Sequence, residues 1–242
     1  MLDHLKVENI LFLDIETVPQ YSDFDAVPDK FKEFWEKKSS YFRSDDESAA
    51  DVYQRAGIYA EYGKIICISV GIVVHKNDGP FFRLKSFYGS DEKLLLADFA
   101  EMLDKYNATN KGVYLCAHNG KEFDFPYIAR RMLINGIKLP AILDVAGKKP
   151  WEVTFLDTLE LWKFGDYKHY TSLNLLTHIF NIPTPKDDID GSMVADIFWN
   201  QKDIDRVVRY CEKDVLAVAQ LFLRYQGKEL IKPDNVETTT YQ

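Results

Sequence analysis

Near its start the chain carries a short, bulky apolar run, Ile10-Leu11-Phe12-Leu13, that leads straight into Asp14-Ile15-Glu16-Thr17. Any fold must bury the run and still find a place for two acids. The run predicts a strand buried on its faces. Such a strand should not finish in two acids without a reason, because an unpaired buried carboxylate is costly. Asp14 and Glu16 lie two apart, so on extended backbone they project from the same side. Two carboxylates converging there make a hard, oxygen-only site of the kind that Mg²⁺ or Mn²⁺ takes. The other reading is a surface strand end with two solvated acids.

The 242 residues fit one large domain or two small ones, and 46% hydrophobic content is ample for a core. No segment approaches the ~20 apolar residues of a membrane span, and the N-terminus carries no signal-peptide pattern. Cys67, Cys116 and Cys211 are odd in number and widely spaced, with Cys67 and Cys116 inside apolar runs. These features predict a cytoplasmic protein with reduced thiols. A net charge of −8 argues against broad non-specific nucleic-acid binding. It leaves open a nucleic-acid enzyme whose active site is itself acidic and metal-filled.

Helical stretches are expected near 29–38 and 47–60, the second capped by Ser44-Asp45-Asp46-Glu47. Residues 19–60 are too long for a plain connection and read as an insertion over a functional edge. Strands at 64–74 and 81–88 flank Asn77-Asp78-Gly79-Pro80, a hairpin turn signal. Ser90-Asp91-Glu92 opens a helix to about Tyr106. A strand at 113–117 runs into His118-Asn119-Gly120 and a helix from about Asp124 to Asn135. Residues 154–156 read as the last strand, ending at Asp157. Helices follow at 172–180, 193–200 and 203–225. Residues 1–227 read as a single domain, and the polar tail 228–242 as loosely ordered. The order predicts an α/β fold, a mixed sheet with helices packed on it.

Two further acids extend the opening box. Asp124 lies just past a strand end, where α/β folds place ligands, although an acid at a helix N-terminus also complements the dipole. Asp214 shares a helix face with Tyr210 four residues earlier. Val207, Val208, Cys211, Val215 and Val218 make that helix largely buried, so an acid within it wants a partner; otherwise Asp214 is a solvated acid on an amphipathic helix.

In these residues the chain resembles the DEDD superfamily of 3′–5′ exonucleases, in its tyrosine-bearing branch. Its motifs are matched by Asp14-Ile15-Glu16, by Asn119 and Asp124, and by Tyr210-x-x-x-Asp214. Phrases such as Glu61-Tyr62-Gly63-Lys64-Ile65-Ile66-Cys67-Ile68-Ser69 and Asp190-Gly191-Ser192-Met193-Val194 resemble stand-alone bacterial exonuclease-like proteins related to the family B polymerase proofreading domain. The likeness runs from about Ile10 to Tyr225. It implies a ribonuclease H-like fold and two divalent cations, Mg²⁺ or Mn²⁺, held by Asp14, Glu16, Asp124 and Asp214. Two such ions ~4 Å apart can activate a water and stabilise a leaving oxygen. Four carboxylates balance two divalent cations in charge, so the filled site is about neutral. Tyr210 is expected to orient the attacking water; a free tyrosine titrates near ~10 and is a poor base at neutral pH.

On the substrate side, the likeness brings Thr17 and Asn119 to the terminal nucleotide. His118 either touches a phosphate or bonds to backbone. Phe123 and Phe125 either stack on a base or belong to the core. The stretch Trp162-Lys163-Phe164-Gly165-Asp166-Tyr167-Lys168-His169-Tyr170 interleaves rings and cations, as loops that grip single strands do, or else packs its rings inward. Asp157 is expected to support the site rather than ligate. Lys148-Lys149 and Arg130-Arg131 are either phosphate contacts or solvated surface. The expected activity is release of nucleoside monophosphates from single-stranded ends, DNA favoured, with no polymerase in the same chain and no membrane partner. An exoribonuclease, and a catalytically silent nucleic-acid-binding module, are the alternatives.

Overall fold

The computed structural model describes residues 2–76, 79–166, 170–183 and 189–240. Six strands form one mixed sheet: β1 (Ile10–Pro19), β2 (Gly63–Lys76), β3 (Gly79–Tyr88), β4 (Tyr114–Ala117), β5 (Phe155–Asp157) and β6 (Val236–Thr238), in the order β5-β4-β1-β2-β3-β6. β2 runs antiparallel to both its neighbours, β1 and β3, and the other three pairings are parallel. The helices are α1 (Asp29–Ser39), α2 (Glu92–Thr109), α3 (Asp124–Ile134), α4 (Thr158–Lys163), α5 (Leu173–Ile179), α6 (Val194–Asp196) and α7 (Ile204–Tyr225). None of the described helices is long and apolar enough to cross a membrane.

Alternation along β1 sorts its side chains between two cores. Leu11, Leu13 and Ile15 pack with Leu96 and Phe99 of α2 and Ile128 and Met132 of α3. Ile10 and Phe12 pack with Val215, Val218 and Phe222 of α7. Asp14 and Glu16 continue the second series, so the same alternation that buries the run also aims both acids at α7. Asp91 caps α2 by accepting from the Leu94 amide, as Ser90-Asp91-Glu92 predicts.

The structure departs from expectation in three places. β1 does not end at the acids; it stays paired with β2 as far as Pro19 opposite Gly63. What ends early is its other border, since β4 pairs with β1 only from Ile10 to Phe12. The 47–60 segment is not a continuous helix. Ser44 with Glu47, and Ser48 with Asp51, close local turns, and a short 3-10 helix spans Tyr53–Ile58. Its side chains serve a small separate core around Trp35, which is fully buried and donates to the Ala49 carbonyl at 2.9 Å. Gly57 presses on β1; a Cβ there would lie 3.1–3.2 Å from Val18 and Pro19. The insertion therefore sits over the C-terminal end of β1. Finally, Phe155–Asp157 is not the last strand. Val236–Thr238, in the tail expected to be loose, extends the sheet beside β3 as β6. Asn77 and Asp78 of the turn signal, Tyr167, Lys168 and His169 of the aromatic loop, and the last two tail residues lie outside the described residues.

Arg131 is not a surface phosphate contact. It is 4% exposed and forks onto Glu92, with Nε 2.9 Å from Oε1 and a terminal nitrogen 2.5 Å from Oε2. Its remaining donors reach the Ala60 carbonyl and the Gln20 side chain. Glu92 also accepts from the Ile65 amide and Asn135. One buried pair thus ties both ends of the insertion to β2, α2 and α3. Arg131→Ala leaves a buried carboxylate uncompensated and is expected to cost about 3–5 kcal/mol in urea denaturation; a loss under about 1 kcal/mol would contradict this role.

Candidate metal centre

The centre is built where β4 leaves β1. Beyond Phe12, the border of β1 passes from β4 to the N-terminus of α3, whose first residue is Asp124. The Asp124 carboxylate is 3% exposed and accepts from the Ile15 amide of β1 and from its own amide. Its Oδ1 is nevertheless buried without a hydrogen-bond partner. α7 crosses the other side of the acids and contributes Tyr210, Cys211 and Asp214. Ligand atoms of Asp14, Glu16 and Cys211 lie within 4.8 Å of one another.

Electrostatics bring the four acids into one unit. Burial raises Asp14 well above the usual carboxylate range, and the charges of Asp124, Glu16 and Asp214 raise it further. Burial and then Asp214 do the same to Glu16. Asp124 is pushed up to about 7, mainly by burial, with Asp157 adding to the shift. Tyr210 hydrogen-bonds to Asp214, and burial followed by Asp214, Glu16 and Asp14 keeps its phenol protonated far above the ordinary range.

Crowded carboxylates, an oxygen-rich donor set and an orphaned buried carboxylate oxygen fit hard divalent cations. Asp14, Glu16, Asp124 and Asp214 would hold them.

Asp157 supports the centre without reaching into it. It caps α4 and accepts from the amides of Leu159, Asn119 and Lys121 at 2.9, 2.9 and 3.1 Å. These bonds pin the turn through Asn119, which takes the left-handed conformation at φ 62°. Gly120 follows because nothing larger fits; a Cβ there would lie 2.4 Å from that of Ala117. Thr17 is half-buried and hydrogen-bonds Tyr127, which donates to the Gly57 carbonyl at 2.8 Å.

Two expected substrate contacts are engaged elsewhere. His118 Nε2 lies 3.0 Å from the Thr171 carbonyl and Nδ1 lies 2.9 Å from the Thr158 hydroxyl. A carbonyl only accepts, so Nε2 carries the proton and both ring nitrogens are used. Phe125 is 1% exposed and packs on Phe155 with ring centroids 4.3 Å apart; it is core. Phe123 is half-buried against Tyr127. Trp162 packs inward against Phe180 and Tyr225, whereas Phe164 and Tyr170 are exposed. Tyr170 lies edge-on to His118, and its phenol is raised by burial and by Asp124, Asp157 and Asp14. It therefore lies within electrostatic reach of the acids.

Cys211 is the site residue that sequence reasoning passed over. Its thiol lies 3.5 Å from both Asp14 Oδ2 and the Asp14 carbonyl. Its position three before Asp214, inside the apolar stripe of α7, was the available signal.

The fold is shared with the family B DNA polymerase of the hyperthermophilic archaeon Pyrobaculum calidifontis, with a TM-score of 0.50 and 16% identity over 89% of this chain. The chain spans 24% of the polymerase's length. The RNase domain of the yeast Pop2 protein is matched with a TM-score of 0.43 and 10% identity, over 95% of this chain and 81% of that domain. The mixed sheet with its packed helices is ribonuclease H-like. A family described as "Predicted 3'-5' exonuclease related to the exonuclease domain of PolB" matches residues 58–242. The segment carrying Asp14 and Glu16 precedes that match and meets the rest of the centre only in space. With more than half its length matched, the chain belongs to this family of PolB-related 3′–5′ exonuclease domains.

Proposed function

We propose that the chain is a metal-dependent 3′–5′ exonuclease of the tyrosine branch. It removes nucleoside monophosphates from single-stranded DNA ends, within one catalytic unit whose sheet includes Val236–Thr238. The observation that carries this is the electrostatic coupling of Asp14 and Glu16 to Asp124 and Asp214 in one cluster beside Tyr210, with Glu16 and Asp124 buried and Asp14 and Asp214 half-buried. Preference for DNA is supported by the relation of the family to the PolB exonuclease domain.

Bound Mg²⁺ or Mn²⁺ would supply an activated water and charge neutralisation at the scissile phosphate. The protein's role is positional. Asp14 and Glu16 are fixed by the sheet, Asp124 by the Ile15 amide, and Asp214 by Tyr210 and the packing of α7. A phenol that stays protonated is no general base, so Tyr210, whose one proton rests on Asp214 in the free protein, orients the attacking oxygen as a hydrogen-bond donor once that O–H turns from Asp214 toward it. Burial of Glu16 and Asp124 lowers the local dielectric and strengthens the interactions they make. The Thr17 backbone and Asn119 line the approach to the acids, and Phe123 and exposed Tyr170 offer ring faces to a terminal base. His118 is a support for Tyr170 rather than a phosphate contact.

With 5′-labelled oligomers, the wild type should give a ladder that needs Mg²⁺ or Mn²⁺ and disappears in EDTA. Asp14→Ala should abolish it while leaving the circular dichroism spectrum intact. A ladder that persists in Asp14→Ala would sink the assignment, and equal or faster turnover of the matched RNA would remove the DNA preference. Tyr210→Phe should lower kcat by about 10²-fold with little change in KM; a general base at this position would instead give a wild-type rate that climbs with pH, by way of a titration that the Phe variant lacks.

The raised carboxyls also predict a stability profile. A carboxyl whose folded pKa exceeds its unfolded value binds its proton more tightly when folded. Its contribution is therefore greatest below the unfolded value of ~4 and is lost as pH rises through the folded value, about 7 for Asp124. In EDTA, the Tm of wild type relative to Asp124→Asn should fall between pH ~4 and ~7. Millimolar Mg²⁺ at pH 7.5 or so should raise the wild-type Tm more than that of Asp124→Asn. Parallel Tm profiles for the two proteins would contradict the cluster's charge state.

A further inference from the structure

A row of polar side chains runs beneath α7 from the C-terminal strand to Asp14. At its far end Glu212, 8% exposed, accepts on Oε1 from Ser86 of β3 at 2.9 Å, from Thr238 of β6 at 3.1 Å, and from Thr240. The Ser86 hydroxyl lies 2.8 Å from that of Ser69 on β2, and Ser69 lies 3.6 Å from the Cys67 sulfur. Cys67 packs against Cys211, their thiols are hydrogen-bond neighbours, and Cys211 touches Asp14.

Each hydroxyl and each thiol in this row has one proton, so the direction of the row can be worked out from its ends. A carboxylate only accepts, so Ser86 gives its proton to Glu212. The Ser69 proton then goes to Ser86, and that of Cys67 to Ser69. No proton remains to point from Cys67 toward Cys211, so the one Cys211 proton is shared among the Cys67 sulfur, the Asp14 carbonyl and Asp14 Oδ2. Glu212 thereby orders a row that reaches the acid cluster through the contact of Cys211 with Asp14. Two of the three hydroxyls on Glu212 come from the C-terminal segment, and neither can reach it unless β6 is docked. The Thr239 amide donates to the Leu84 carbonyl, and the Ser86 amide to the Thr240 hydroxyl, so the same residues also fasten that segment to β3.

We infer that Glu212, held by the docked C-terminal strand, is a positioning residue for Asp14, acting through Ser86, Ser69, Cys67 and Cys211, so that the last residues of the chain help to set the metal affinity of the centre. This rests on Asp14 being a metal ligand, as proposed. Supporting contacts of this kind are worth 10–100-fold in metal affinity.

The test is Mn²⁺ titration by calorimetry on the full chain without substrate. Glu212→Leu and Cys211→Ala should each weaken binding by about tenfold. Their combination should be no weaker than either alone, because both break one path. Glu212→Gln, which keeps an acceptor oxygen, should restore near wild-type binding. Thr238→Val with Thr240→Val should weaken binding, while Glu237→Ala, which removes only the exposed pairs with Lys76 and Arg83 on the same strand, should not. Wild-type affinity in folded Glu212→Leu, or additive losses in the double variant, overturns the inference. If Glu212→Leu does not fold, the threonine pair decides by the same criterion. A wild type that binds no Mn²⁺ sinks the metal site as well, whereas wild-type binding with unchanged variants sinks the positioning role alone.

Discussion

Repulsion among carboxylates that burial and mutual charge hold above their usual range is what the rest of the molecule is arranged around. Asp14 and Glu16 sit on an interior strand covered on both faces, with a helix across one face and two across the other. Burial and mutual charge both oppose their ionisation. A chain that accepts such a cluster gives up stability at neutral pH unless cations arrive. That is the ordinary condition of sites in which strain and function coincide.

The geometry depends on a sheet that is continuous on one side of β1 and interrupted on the other. β2 holds the strand straight through both acids, so their spacing is that of regular extended backbone. On the opposite border the pairing of β4 with β1 stops at Cys116, and the freed Ile15 amide finds its acceptor in Asp124. The interruption is thus satisfied by the residue that completes the acid set. Farther along the sheet, at the end of β5, Asp157 has a corresponding role: its carboxylate organises the turn leading from β4 to α3.

Much of this was legible in the chain because local patterns and tertiary roles agreed. The Ile10–Leu13 run, the Ser90-Asp91-Glu92 helix start and the Tyr210/Asp214 spacing each carry a signal within a few residues. What escaped has its cause elsewhere in the fold. Whether β1 ends at Leu13 or Pro19 is decided by β2, some fifty positions away. Glu92 and Arg131 look like surface charges in sequence; their partnership at 2.5 Å exists only once α2 and α3 are packed. Cys211 looks like one more apolar helix position, and its contact with Asp14 appears only when α7 crosses β1. The three-residue β6 is too short for any periodicity to register, and its pairing depends on an open edge of β3.

The register of β1 against β2 skips one position: Glu16 faces Cys67 but Thr17 faces Ile65, so Ile66 is supernumerary. Ile66 and Cys67 consequently turn to the same face, one meeting Val18 and Val207, the other Val208 and Cys211. This local stutter lets a single helix be gripped by adjacent residues of one strand, which strict alternation forbids. It also divides the ribbon into two halves that are out of phase. Odd-numbered residues of β2 face α7 beside the acids, and even-numbered ones take that face beside the insertion.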